Sequence, residues 1–172
     1  MTNQPVNHIK LSMSLDATVA EALALEARDK GTEMTHLIQR VLGDHAADAG
    51  FMPEDQSARL RAFWWLVDTA KARAQEIVAA SGPHADITAR ACAACEADPV
   101  WLERYEAYIG GPARAIGNPE KGPVNREIGF RIREVLDAEV LKKDGKSVNQ
   151  KVAGSIIQSF TPFARIGGRP TI

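Results

Sequence analysis

Four histidines, two cysteines and one glycine-bounded hexad are the residues of this 172-residue chain whose types could do chemistry, and their spacing decides which chemistry. His8, His36, His45 and His84 form no i, i+4 pair and have no cysteine or carboxylate at a metal-binding spacing, so no metal site is expected. Cys92 and Cys95 lie in Ala91-Cys92-Ala93-Ala94-Cys95, on one face of a helical pattern. A single helix does not favour disulfide geometry and no βαβ pattern surrounds the pair, so both read as small buried apolar residues. Gly117-Asn118-Pro119-Glu120-Lys121-Gly122 has the glycine spacing of a phosphate loop, but Pro123 and Val124 stand where the lysine and hydroxyl residue belong. Prolines also remove cradle N–H groups, and no nucleotide site follows. No nucleophile elbow, paired-carboxylate signature or dinucleotide fingerprint appears. No catalytic residue or cofactor is assigned, and the chain is not read as an enzyme.

Charge is the chemistry that remains. The total is −1, but residues 1–45 carry four Lys/Arg against six Asp/Glu, residues 46–120 seven against eleven, and residues 121–172 ten against five. The last third is therefore basic. Its Arg126, Arg131, Arg133, Lys142, Lys143, Lys146 and Lys151 are candidates for a phosphate-facing surface, with Arg165 and Arg169 in the tail. Solvation of an ordinary surface is the competing account of the same charges.

The elements that must position these residues are mainly helical. Asn7 to Leu15 alternates, with Ile9, Leu11, Met13 and Leu15 on one face and His8, Lys10, Ser12 and Ser14 on the other, which predicts a half-buried strand. Asp16 then caps a helix bearing Val19, Leu23 and Ala27, which Gly31 stops. A second helix beginning at Thr32 or Glu33 carries Met34, Leu37, Ile38, Val41 and Leu42 and ends at Gly43 or the alanines after it. Residues 46–56 read as a linker. Residues 57–172 then form a mostly helical second domain, with a long helix from about Ser57 to Ala80 closed by Ser81-Gly82-Pro83.

Further helices follow around Ile87 to Cys95 and after Asp98-Pro99, an N-cap with proline at the first helical position. Gly110 to Pro123 reads as an exposed loop, and a helix follows from about Asn125 to Ala138 with Arg126, Phe130 and Arg133 on one face. Asp144-Gly145 signals a hairpin between residues 139–143 and 146–148, in competition with a helix restarting near Ser147, and the hairpin is preferred. No apolar run is long enough to cross a bilayer, and Met1-Thr2-Asn3-Gln4-Pro5 lacks the marks of a signal peptide, so a cytoplasmic location with no membrane contact is expected.

The order Lys10-Leu11-Ser12-Met13-Ser14-Leu15-Asp16, then Asp29-Lys30-Gly31-Thr32, then His36-Leu37-Ile38 resembles the ribbon-helix-helix family of the CopG, Arc and MetJ type. The resemblance covers residues 7–45, about a quarter of the chain. It implies a homodimer or higher oligomer in which the strands of two copies pair into a ribbon that enters the major groove of double-stranded DNA. Lys10, Ser12 and Ser14 would then face base edges, and the start of the second helix, Thr32 to Thr35, would offer N–H groups to a phosphate. On this reading the protein is a sequence-specific repressor of bacterial, plasmid or phage origin. The alternative is an antitoxin or an accessory factor of conjugative DNA processing that acts through a protein partner of its second domain. In a further alternative, DNA contact lies wholly in residues 121–172 and the first module only joins two copies.

Overall fold

Six helices, Ala17–Asp29 (α1), Met34–Asp48 (α2), Glu54–Ser81 (α3), Ile87–Glu96 (α4), Pro99–Ile109 (α5) and Lys121–Val135 (α6), dominate residues 12–167, the part of the chain that the computed structural model describes. The cap that opens α1 is the expected one, with the Asp16 carboxylate accepting from the Thr18 N–H at 2.9 Å. Gly31 ends the unit at φ +60°, a left-handed conformation that a side chain would strain. Its Cα also lies so close to α6 that a Cβ there would meet Val135 Cγ2 at 3.0 Å.

The N-terminal strand is not formed within the chain by its described part. Ser12, Met13, Ser14 and Leu15 are exposed and join no sheet, while Asn7 to Leu11, including Lys10, lie outside the described residues.

Helix boundaries move where proline or glycine suggests a break. α2 runs through Gly43 to Asp48, since a Cβ at Gly43 would come 3.2 Å from Leu60 and the missing side chain lets α2 approach α3. α3 begins at Glu54 behind Pro53, with Glu54 and Asp55 in a first turn where negative charge suits the dipole. The expected linker 46–56 thus shrinks to Ala49 to Pro53. α6 likewise starts at Lys121 rather than Asn125, with Pro123 in its first turn, so the loop after α5 ends at Glu120.

The core lies where α3, α4, α5 and α6 meet, filled by Leu66, Ala70, Ile87, Cys92, Trp101, Tyr105, Ile128 and Ile132. The rings of Trp101 and Tyr105 stack 4.9 Å apart. Trp101 Nε1 donates to the Leu66 carbonyl at 3.2 Å, so its one polar group is satisfied in the interior. Both cysteines are buried and free, and burial pushes the Cys95 thiol up to about 12 and that of Cys92 higher still.

The chain ends in antiparallel strand pairs. Ala138–Val140 (β1) pairs with Phe163–Ile166 (β6), Lys142–Lys143 (β2) with Lys146–Ser147 (β3), and Gln150–Lys151 (β4) with Ser159–Phe160 (β5). Asp144 and Gly145 have φ of +52° and +75°, the paired left-handed residues of a two-residue hairpin turn, and no helix restarts at Ser147. The expected strand 139–143 splits at Leu141, whose N–H donates to the Pro162 carbonyl at 2.8 Å. Ile156, Ile157 and Phe160 join the core, and the Phe163 N–H bonds the Ala85 carbonyl at 2.9 Å, tying this region to the start of α4. Among the described residues, no helix is long and apolar enough to cross a membrane.

Candidate functional site

α6 carries three faces. Val124, Ile128 and Ile132 face the core; Arg131 and Glu134 meet the N-terminal helices; Arg126, Phe130 and Arg133 line a cavity on the outside. The spacing of the last three, i, i+4 and i+7, keeps them on one side of the helix as the sequence predicts.

On the second face, Arg131 Nη1 donates to Glu134 Oε2 at 2.8 Å and to the Thr32 hydroxyl at 2.9 Å. Arg131 Nε also reaches Glu127 at 2.7 Å. Thr32 Oγ1 donates to Glu134 Oε2, and Glu134 Oε1 accepts the backbone N–H of Glu33 and lies 3.2 Å from His36 Nδ1. Burial alone would raise the Glu134 carboxyl, but the bonds from Arg131, the Glu33 N–H and His36 outweigh it and hold the group below the ordinary carboxylate range. Arg40 adds an ion pair to Asp68 of α3 at 2.7 Å and lies over the Trp64 ring, 5.2 Å from its centroid. These contacts dock α1 and α2 on the bundle. They leave a cavity of about 440 Å³ whose cations and carboxylates largely satisfy one another.

The third face differs in kind. It borders a cavity of about 630 Å³ between α6, the loop before it and the segment from Ile157 to Phe163. Among the described residues that line this cavity, none is acidic. Arg126 and Arg133 are exposed and make no ion pair among the described residues; Arg133 lies over the Phe130 ring at 5.4 Å. The rim is held in place by Asn118, whose Nδ2 donates to the Ile109 carbonyl at 2.9 Å and whose Oδ1 accepts the Glu120 N–H at 2.9 Å. Lys121 is buried and donates to the Ala115 carbonyl at 3.0 Å, so its charge braces the loop from inside. Asn125 is oriented by the Tyr105 hydroxyl, which donates to its Oδ1 at 2.8 Å.

The remaining candidates fall in separate places. Lys142, Lys143 and Lys146 are exposed on the β2–β3 hairpin without an ion pair among the described residues. Ser12 and Ser14 are exposed ahead of α1, and Lys10 lies outside the described residues. Thr35 is exposed on the first turn of α2. Thr32 is engaged by Arg131 and Glu134, so the negative group at the start of α2 in this chain is its own carboxylate rather than a phosphate.

Glu134 and the wall formed by Gln158, Ser159 and Thr161 escape sequence reasoning. Glu134 looks like one more solvated charge among arginines, and residues 152–163 show no periodicity that would place them against α6. The one available signal is the Arg126, Phe130, Arg133 spacing, an aromatic ring between two cations on a face the core does not use. No protein-family model, curated protein or solved structure matches the chain significantly.

Proposed function

We propose that the protein is a homodimeric DNA-binding regulator in which the N-terminal unit joins two copies and the basic C-terminal region contacts the phosphate backbone. The observation that carries this reading is the distribution of unpaired charge. Arg40, Arg59, Arg61, Arg73, Arg90, Arg114 and Arg131 each meet a carboxylate, as does Arg165 in the tail through Glu139, and Arg104 lies over Trp65, whereas Arg126, Arg133, Lys142, Lys143, Lys146 and Lys151 meet no carboxylate among the described residues. Cations left without internal partners over one stretch of chain suit an external polyanion, since phosphate neutralisation supplies most of nonspecific DNA affinity.

Joining of two copies is supported by apolar side chains that the single chain leaves uncovered. Met13, Leu15, Val19, Leu25, Val41 and Leu42 are 38–64% exposed, all on the segment that resembles a ribbon-helix-helix dimerisation unit. Lys10, Ser12 and Ser14 would read base edges from the shared ribbon. Glu134 at the start of α2 competes with the phosphate expected there, which shifts backbone contact towards the C-terminal lysines.

Duplex binding measured by gel shift over a salt series tests the proposal. A Lys142→Ala/Lys143→Ala/Lys146→Ala variant should bind more weakly on every sequence and lose about 0.9 of the log–log salt slope for each phosphate contact removed. Lys10→Ala should instead relax sequence preference. Failure of the wild-type protein to bind any duplex at about 50 mM salt would overturn the reading.

A further inference from the structure

We infer that the cavity between α6 and the Ile157–Phe163 segment is a binding site for a small organic anion, a phosphate or carboxylate carried on a planar apolar body. The inference rests on the cavity alone and not on DNA binding. Its volume of about 630 Å³ falls in the range of small-molecule sites, and its lining combines an apolar floor with a few polar groups, as such sites do.

The charge of the ligand follows from the lining. Arg126 and Arg133 both border the space, neither is neutralised by a carboxylate among the described residues, and no acidic residue faces them there. Guanidinium groups suit phosphate and carboxylate because their N–H donors match two oxygens at once. The first turn of α6 adds its positive end through Gly122, which also lines the cavity and beside which a Cβ would meet nothing within 4 Å.

The shape of the ligand follows from what lies between the two arginines. They stand seven residues apart on one helix, about 10 Å along its axis. Between them are Gly129, half-buried with a built Cβ 3.9 Å from Thr88 Cγ2 on the cavity wall, and the half-buried ring of Phe130, which meets His36 edge-on at 5.1 Å. Val140 and Phe163 continue the apolar surface opposite. A flat body lying over Gly129 and Phe130 with its anionic group at either arginine satisfies both features. A bare inorganic anion would leave the apolar surface unused.

The site is built before any ligand arrives. Asn118, Lys121 and Asn125 are each fixed by hydrogen bonds to other parts of the fold, which lowers the ordering required on binding.

Calorimetric titration of the full chain, without DNA, with phenyl phosphate, benzoate, inorganic phosphate and phenol tests the inference. Phenyl phosphate or benzoate should bind saturably, at least tenfold tighter than phenol and tenfold tighter than inorganic phosphate. The tighter of the two identifies which anionic group the arginines prefer. Because either arginine can hold the anionic group, Arg126→Ala or Arg133→Ala alone should weaken that ligand about twofold, and the two together at least tenfold. Gly129→Leu should abolish binding by filling the floor. A leucine is also a better helix former than glycine, so far-ultraviolet circular dichroism and the melting temperature should show this variant folded. No saturable binding of either aromatic anion overturns the inference, as does equal binding of phenol, or binding that a folded Gly129→Leu variant retains.

Discussion

Thr32 and Glu134 are 102 residues apart in sequence and 3.1 Å apart in the fold, hydroxyl to carboxylate. Glu134 also accepts the Glu33 N–H, so it takes up at the start of α2 the free N–H groups that helix termini offer to anions. The carboxylate thereby does two things. It docks the N-terminal pair of helices on the bundle, and it fills the place where a phosphate would stabilise the same helix end.

Removing that carboxylate should expose the cost of leaving its partner behind. Arg131 and Glu134 side chains are 8% and 7% exposed, so Glu134→Ala takes from a buried guanidinium one of its two carboxylates and leaves it Glu127 at 2.7 Å. A loss of about 2–3 kcal/mol is expected for removing hydrogen bonds to a charged group in this setting. Urea unfolding followed by tryptophan fluorescence measures it, with Trp64, which Arg131 overlies at 5.5 Å, as a reporter on the docked face. A change below about 1 kcal/mol would mean that the pair does not hold the two parts together.

The same group gives the docking a pH dependence of known sign. Glu134 has a native pKa below its ordinary value of 4.5, so its contribution is fully present above that value and is lost as pH falls through the lower native one. The stability gap between wild type and Glu134→Gln should therefore be largest near neutrality and narrow from about pH 4.5 downward. Unfolding free energies across that interval check it, and a gap that widens on acidification would contradict the assignment.

Gly31 should tolerate no side chain. Its φ of +60° disfavours any Cβ, and a Cβ there would lie 3.0 Å from Val135 Cγ2 and 3.3 Å from Val135 Cα. Gly31→Ala is expected to destabilise by more than the roughly 1 kcal/mol of the backbone effect alone, because α6 must also yield. Combining it with Val135→Ala should recover part of that loss. A double-mutant cycle in urea reads the coupling directly.

What the sequence made legible was local. Asp16, Gly31, Asp98-Pro99 and Asp144-Gly145 each set a boundary through chemistry acting within four residues, and each appears where its chemistry requires. Pro53 and Pro123 misled because proline reads as a breaker, although it is harmless before or within a first turn, where its missing N–H has no intrahelical partner. The strands from Gln150 to Ile166 were hidden because two to four residues are too few to show a period of two. β1 finds its partner only at Phe163, beyond the reach of any local pattern. The candidate site divides in the same way. Arg126, Phe130 and Arg133 could be placed together from helical spacing, but the opposite wall depends on a long-range return of the chain.

The uncovered apolar face of α1 and α2 leads to the last expectation. Leu25, Val41 and Leu42 are 64%, 47% and 49% exposed, too many large aliphatic side chains on two short helices for a surface that water alone covers. If a second copy covers them, placing charge there should prevent pairing and leave the monomer's own core intact, since none of the three belongs to that core. Light scattering after gel filtration should report a dimer for the wild-type chain and a monomer for Val41→Glu/Leu42→Glu, with the bundle still melting cooperatively. A wild-type chain that stays monomeric at about 100 μM would remove the partner copy from the account, because an obligate pair of this type is associated well below that concentration.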